Sequence, residues 1–128
     1  LFPDTSRLHH SELRARALEI SRTLGLSARE AIAACVMAPA LETAAERRFF
    51  ARAGADVAVQ GLEGPLLAAA HAGLATLAVV CVTDRGDEGP DLASIVAAAE
   101  RMAPGLEDLL ARLAPDIASA AAGLEVEA

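Results

Sequence analysis

Apolar residues recur along this chain in alternating blocks of helical and strand-like spacing. Leu13, Ala17, Ile20 and Leu24 stand four, three and four residues apart. That spacing puts them on one stripe and predicts a helix from near Ser11, stopped by Gly25 as its C′ residue. Ala31 to Val36 is a continuous apolar run and predicts a short buried strand. Thr43-Ala44-Ala45-Glu46 fits a capping box, so a second helix is expected from Thr43 to Gly54. Asp56 to Gln60 predicts another strand. A third helix is expected from about Pro65 to Ala72, with Pro in its first turn and Gly73 as its stop. Ala75 to Thr83 is the clearest strand signal, apolar on both faces as a strand covered by helices would be. Asp91 is expected to cap a long amphipathic helix carrying Ile95, Ala99, Met102, Leu106, Leu109 and Leu113, kinked or restarted at Pro104. The tail, residues 114–128, is expected to fray.

This βα alternation predicts a three-layer α/β fold, with a mostly parallel or mixed sheet flanked by helices. Residues 1–128 are expected to form a single domain. In open sheets of this kind ligands bind outside the carboxyl ends of the strands. Three segments therefore carry the candidate chemistry: the one after Val36, the one after Gln60, and the one after Thr83.

Composition narrows the picture. Over half of the residues are apolar, yet the aromatics are three Phe with no Trp or Tyr, so the core must be built from small aliphatic side chains. The net charge is −7, which argues against nucleic acid as a partner, because phosphate contacts need a basic surface. The charge is uneven: residues 1–53 hold eight Arg against six acids, and residues 54–128 hold three Arg against twelve. Cys35 and Cys81 both lie in apolar runs and are expected to be buried, reduced thiols. No signal peptide is visible, and no apolar run reaches the roughly 20 residues of a membrane span. A cytoplasmic setting without a membrane partner is the expectation. The chain opens on Leu1-Phe2-Pro3-Asp4 with no initiator Met, as a fragment or a processed product would.

The strand ends hold short motifs in a particular order. Phe2-Pro3-Asp4-Thr5-Ser6, followed by Leu13-Arg14, comes first. Ala38-Pro39-Ala40-Leu41-Glu42-Thr43-Ala44-Ala45-Glu46 follows, then Gly54-Ala55-Asp56-Val57, then Ala70-His71-Ala72-Gly73-Leu74, and finally Thr83-Asp84. In order and spacing these resemble the trimeric-type purine nucleoside phosphorylases and the related methylthioadenosine phosphorylases. The resemblance runs from Phe2 to about Leu113 and corresponds to the C-terminal half of that family. The second motif is similar to the family's Gly-Pro-x-aromatic-Glu-Thr-x-Ala-Glu.

The resemblance implies phosphorolysis of a purine nucleoside, releasing the base and a pentose 1-phosphate. Phosphate would be a co-substrate, with no metal or organic cofactor, and a homotrimer is implied. By the same resemblance Glu42 would contact the purine ring. Asp84, the catalytic candidate, would sit at N7 and the exocyclic 6-substituent, with Thr83 beside it. Relatives acting on 6-oxopurines carry Asn at this position, and those acting on 6-aminopurines carry Asp. Leu92 falls where the family has the His that meets the ribose 5′-hydroxyl. An apolar residue there favours 5′-methylthioadenosine or another 6-aminopurine nucleoside.

The departures lie at the same site. Leu41 replaces the aromatic that stacks on the base. Gln60 stands where the family has the Met beneath the ribose, and Gly61 where a Ser or Thr hydroxyl meets phosphate. Ala38 replaces a Gly, Gly64-Pro65 replaces Pro-Glu, and Ala31 and Ala33 replace a Gly and a Tyr. Two rival readings follow: a non-catalytic purine-binding or assembly module of the same fold, and a nucleoside hydrolase of the same superfamily. Simpler roles also stand for single residues. Glu42 is well placed as a first-turn acid on a helix dipole, and Asp84 as the start of an Asx turn. Asp87, Glu88 and Asp91 read as a solvated acidic loop, not a metal site. His9 and His10 read as surface residues, His71 as a packing or surface residue of its helix, and Glu63 and Gln60 as pocket lining or solvent-facing. No His, Cys or Asp pattern has zinc spacing.

Overall fold

The computed structural model describes residues 2–6, 8–85 and 91–124, with side chains through residue 121. The elements are α1 (Ser11–Thr23), β1 (Ala33–Val36), α2 (Ala44–Arg52), β2 (Val57–Gln60), α3 (Glu63–His71) and α4 (Leu92–Leu124). They fall into two compact units. One comprises residues 1–29, 67–79 and 103–128, and the other residues 30–66 and 80–102.

The first unit is helical and holds the core. The stripe on α1 buries Leu13, Ala17 and Ile20, and α4 contributes Leu109 and the fully buried Leu113. Leu24, Leu26 and Leu77 pack around this cluster. Ser21 is 2% exposed, and its hydroxyl donates to the Ala17 carbonyl one turn back at 2.7 Å, which satisfies the one buried polar side chain among the described residues. The histidines at the start of α1 have structural work to do, against the expectation that they are surface residues. His10 is the N-cap, its Nδ1 accepting from the Leu13 N–H at 3.4 Å. The His10 N–H donates to the Thr76 carbonyl at 2.8 Å, and His9 forms a parallel bridge with Thr76.

The second unit is built on a β1–α2–β2 connection. Its strands pair in parallel, Ala33 opposite Val57 and Val36 opposite Gln60. Asp56 extends the pairing by one residue. Its N–H donates to the Ile32 carbonyl and its Oδ2 accepts from the Ile32 N–H, both at 2.8 Å. β1 begins two residues later than expected, and neither strand is fully buried. Cys35 is exposed and Cys81 half-buried, so the buried thiol expected at Cys35 is not found; both are free thiols.

The run from Ala75 to Thr83 is not a strand, apart from the bridge at Thr76. A strand exists through its ladder, and a chain covered on both faces needs hydrogen-bonding neighbours at its edges. Among the described residues this run has no such ladder. The boundary between the two units passes between Val79 and Val80, through the run itself.

α3 begins two residues earlier than expected, so Pro65 is its third residue. Proline is tolerated there because the first-turn N–H groups have no intrahelical acceptor. Pro104 and Pro115 both lie inside α4, which continues helical to Leu124. Over the described residues the helix therefore does not restart at Pro104. Asp91 caps α4 as expected, its Oδ2 accepting from the Ser94 N–H at 3.2 Å. Asp87, Glu88 and the rest of residues 86–90 lie outside the described residues.

Candidate functional site

The site is organised by the first turn of α2. Thr43 is the N-cap, and its hydroxyl accepts from the Glu46 N–H at 3.3 Å. The Glu46 carboxylate reaches back to accept from the Thr43 N–H at 2.8 Å and from its hydroxyl at 2.7 Å. These bonds, the backbone one first, hold the Glu46 carboxyl below its ordinary value of 4.5. The box fixes the angle at which residues 37–42 enter the helix.

Entry at that angle places Glu42 one residue before the cap and Arg47 four residues after it. In many helices these two positions carry apolar residues that pack across the N-terminus. Here they carry an ion pair, with Arg47 Nη2 3.6 Å from Glu42 Oε2. Arg47 also reaches the end of the 80–85 segment, where its Nη1 donates to Asp84 Oδ2 at 2.5 Å. All three side chains are well covered: Glu42 is 9% exposed, Arg47 17% and Asp84 21%. One guanidinium thus gathers the two carboxylates that resemblance assigns to the base, across 37 residues of sequence for Asp84.

Sequence reasoning did not single out Arg47. The signal was present in the staple spacing. An acid just before a Thr cap and an Arg at the fourth helical residue form a charged version of that contact.

Thr83 and Asp84 line an open cleft of about 410 Å³ with Arg85, Ser94, Arg101 and Met102. The other candidates take separate positions. Gln60 ends β2, and its Nε2 donates to the Ala40 carbonyl at 2.8 Å, which ties the end of β2 to the 37–42 segment. Gly61 follows at φ +70°, a left-handed conformation that a Ser or Thr would adopt only with strain. Leu41 is 49% exposed, and Leu92, the first residue of α4, is 72% exposed and outside the cleft lining. Glu63 and His71 are exposed. Among the described residues no group of three His, Cys, Asp or Glu side chains is disposed to hold a metal ion. No helix among them is long and apolar enough to cross a membrane.

In chemical terms the trio offers carboxylate oxygens as acceptors, held in place by a fixed cation. Charge-assisted bonds of this kind are short and directional. They keep two like charges side by side, where they would otherwise repel.

The parallel β1–α2–β2 pairing makes this an α/β chain, with Glu42 and Asp84 gathered beside it by Arg47. A family profile described as "Phosphorylase superfamily" matches residues 1–115, and the chain belongs to that family. Among characterised relatives it is similar to purine nucleoside phosphorylase 1 of Geobacillus stearothermophilus, at 31% identity over 83 residues, covering 65% of this chain and 30% of the relative. It is also similar to purine nucleoside phosphorylase 1 of Bacillus subtilis (strain 168), at 29% identity over 83 residues, covering 65% of this chain and 31% of the relative. The match thus spans less than a third of the length of these relatives.

Proposed function

We propose that the protein containing this chain cleaves a purine nucleoside with phosphate, and that this chain supplies the base-recognition part of the site. The observation that carries the reading is the Arg47 bridge, which draws Glu42 and Asp84 to one guanidinium. Glu42 contacts the purine ring. Asp84 keeps Oδ2 on Arg47 and offers Oδ1 to the 6-substituent. An ionised carboxylate accepts from a 6-amino group, so the favoured substrates are 6-aminopurine nucleosides, 5′-methylthioadenosine among them. The three-layer fold and the homotrimer belong to the same proposal.

A second reading draws on Gly61 and Gln60. Gly61 has no hydroxyl for phosphate, and the Gln60 amide is engaged with Ala40. Both favour a module that binds the base without cleaving the nucleoside.

The test is purine release from 5′-methylthioadenosine and from inosine, with and without phosphate. Phosphate-dependent release of adenine, faster than that of hypoxanthine, is expected. Release independent of phosphate would make the protein a hydrolase. Saturable adenine binding without release would establish the module.

A further inference from the structure

The cleft beside Asp84 contains more positive charge than base recognition uses. Arg85 and Arg101 both line it, and among the described residues neither has an acid partner. On α4 the side chains one turn from Arg101 are Ala97, Ala98, Pro104 and Gly105, so no helical neighbour supplies one. The cleft's own carboxylate, Asp84, is already paired to Arg47. Arg47 is shared with Glu42, so the trio keeps one net negative charge against the two positive charges of Arg85 and Arg101.

The helix face is consistent with a single binding surface. Ser94, Ala98, Arg101 and Met102 stand at i, i+4, i+7 and i+8, one stripe of α4 facing the Thr83–Arg85 segment. The N-terminus of α4 is not the anchor. Its Ser94 N–H is taken by Asp91 Oδ2, and the Ser94 hydroxyl donates to the Asp91 carbonyl at 2.7 Å. The available donors are the two guanidinium forks and the half-buried Thr83 hydroxyl. Two planar forks and a hydroxyl match a tetrahedral oxyanion with two negative charges, because each guanidinium presents paired N–H groups to two oxygens.

We propose that Arg85 and Arg101 form a binding site for a phosphoryl dianion, next to Asp84. The chain's net charge of −7 repels anions at long range, so such a site has to act through local contacts. Inorganic phosphate and the 5′-phosphate of a purine nucleotide share this chemistry.

The experiment is an NMR titration of the 128-residue chain, following the arginine Nε–H signals. The probes are inorganic phosphate, adenosine 5′-monophosphate, adenosine, and chloride at matched ionic strength. Saturable shifts of the Arg85 and Arg101 signals with phosphate assign the site to free phosphate. Shifts with the nucleotide and not with phosphate assign it to a nucleotide. In either case Arg85→Ala and Arg101→Ala each weaken binding about tenfold, while Arg22→Ala, outside the cleft, does not. Chloride shifts as large as those with phosphate, no shift with either phosphate compound, or an equal loss in Arg22→Ala would each overturn the proposal. Adenine binding read at Glu42 and Asp84 is independent of all these outcomes, so the base-recognition reading stands or falls separately.

Discussion

Arg47 donates to Asp84 Oδ2 while its other terminal nitrogen faces Glu42, so one side chain of α2 holds the end of a segment 37 residues further along the chain. Removing it leaves two mostly covered carboxylates facing each other. Arg47→Ala is expected to destabilise the chain by roughly 1–3 kcal/mol, the range for losing a charged hydrogen bond in a partly buried pair. Urea unfolding followed by circular dichroism measures this. Arg47→Lys should recover only part of the loss, because a single ammonium lacks the fork that spans both acids. Full recovery by Lys would mean that charge alone, and not geometry, matters.

On the proposed reading, Asp84 sets the preference for the base. Asp84→Asn puts an amide donor where a carboxylate accepted, so it should weaken adenine and favour hypoxanthine. A reversal of the affinity ratio by about tenfold is expected, equivalent to one lost charge-assisted bond. Calorimetric titration with both bases checks it. An unchanged ratio would remove Asp84 from the base site.

Thr43→Ala takes away the hydroxyl that closes the capping box. Loss of such a cap costs about 1 kcal/mol of helix stability. It also changes the acid limb. The Glu46 carboxyl is held low by Thr43, so its contribution is present above its ordinary value of 4.5 and is lost as pH falls through the lower folded value. In Thr43→Ala the fall in stability below about pH 4.5 should be shallower than in the parent chain. Denaturation midpoints measured from neutral pH downward would show it.

Leu113 is fully buried at the centre of the α1–α4 contact. Leu113→Ala should cost about 2–5 kcal/mol through lost burial and the cavity left behind. Thermal unfolding measures it. A loss below 1 kcal/mol would mean that the helices close up around the missing methyl groups.

Much of this was legible in the sequence. The stripe Leu13, Ala17 and Ile20 names the buried face of α1, and the Thr43 to Glu46 spacing names the cap of α2, because both patterns are local and follow from helix geometry. Glu42 and Asp84 were legible as a pair only through family resemblance. Their meeting point, Arg47, depends on a tertiary contact with the 80–85 segment that no local pattern encodes. The strand expected over Ala75–Thr83 shows the converse limit. Its composition is strand-like, but strand formation depends on partners elsewhere in the chain. Leu92 was assigned to the sugar side through family resemblance, and α4 leaves it on an exposed face.

Every buried side chain among the described residues falls in the α1–α4 unit, and none in the unit that carries Glu42, Arg47 and Asp84. The amides of the site are therefore expected to exchange with solvent sooner than those around Leu113, since local opening is least costly where little apolar surface is covered. A ligand that bridges Glu42 and Asp84 then acts as missing core. Part of its affinity is spent slowing that exchange, and protection factors in the βαβ segment would report occupancy as directly as any binding signal.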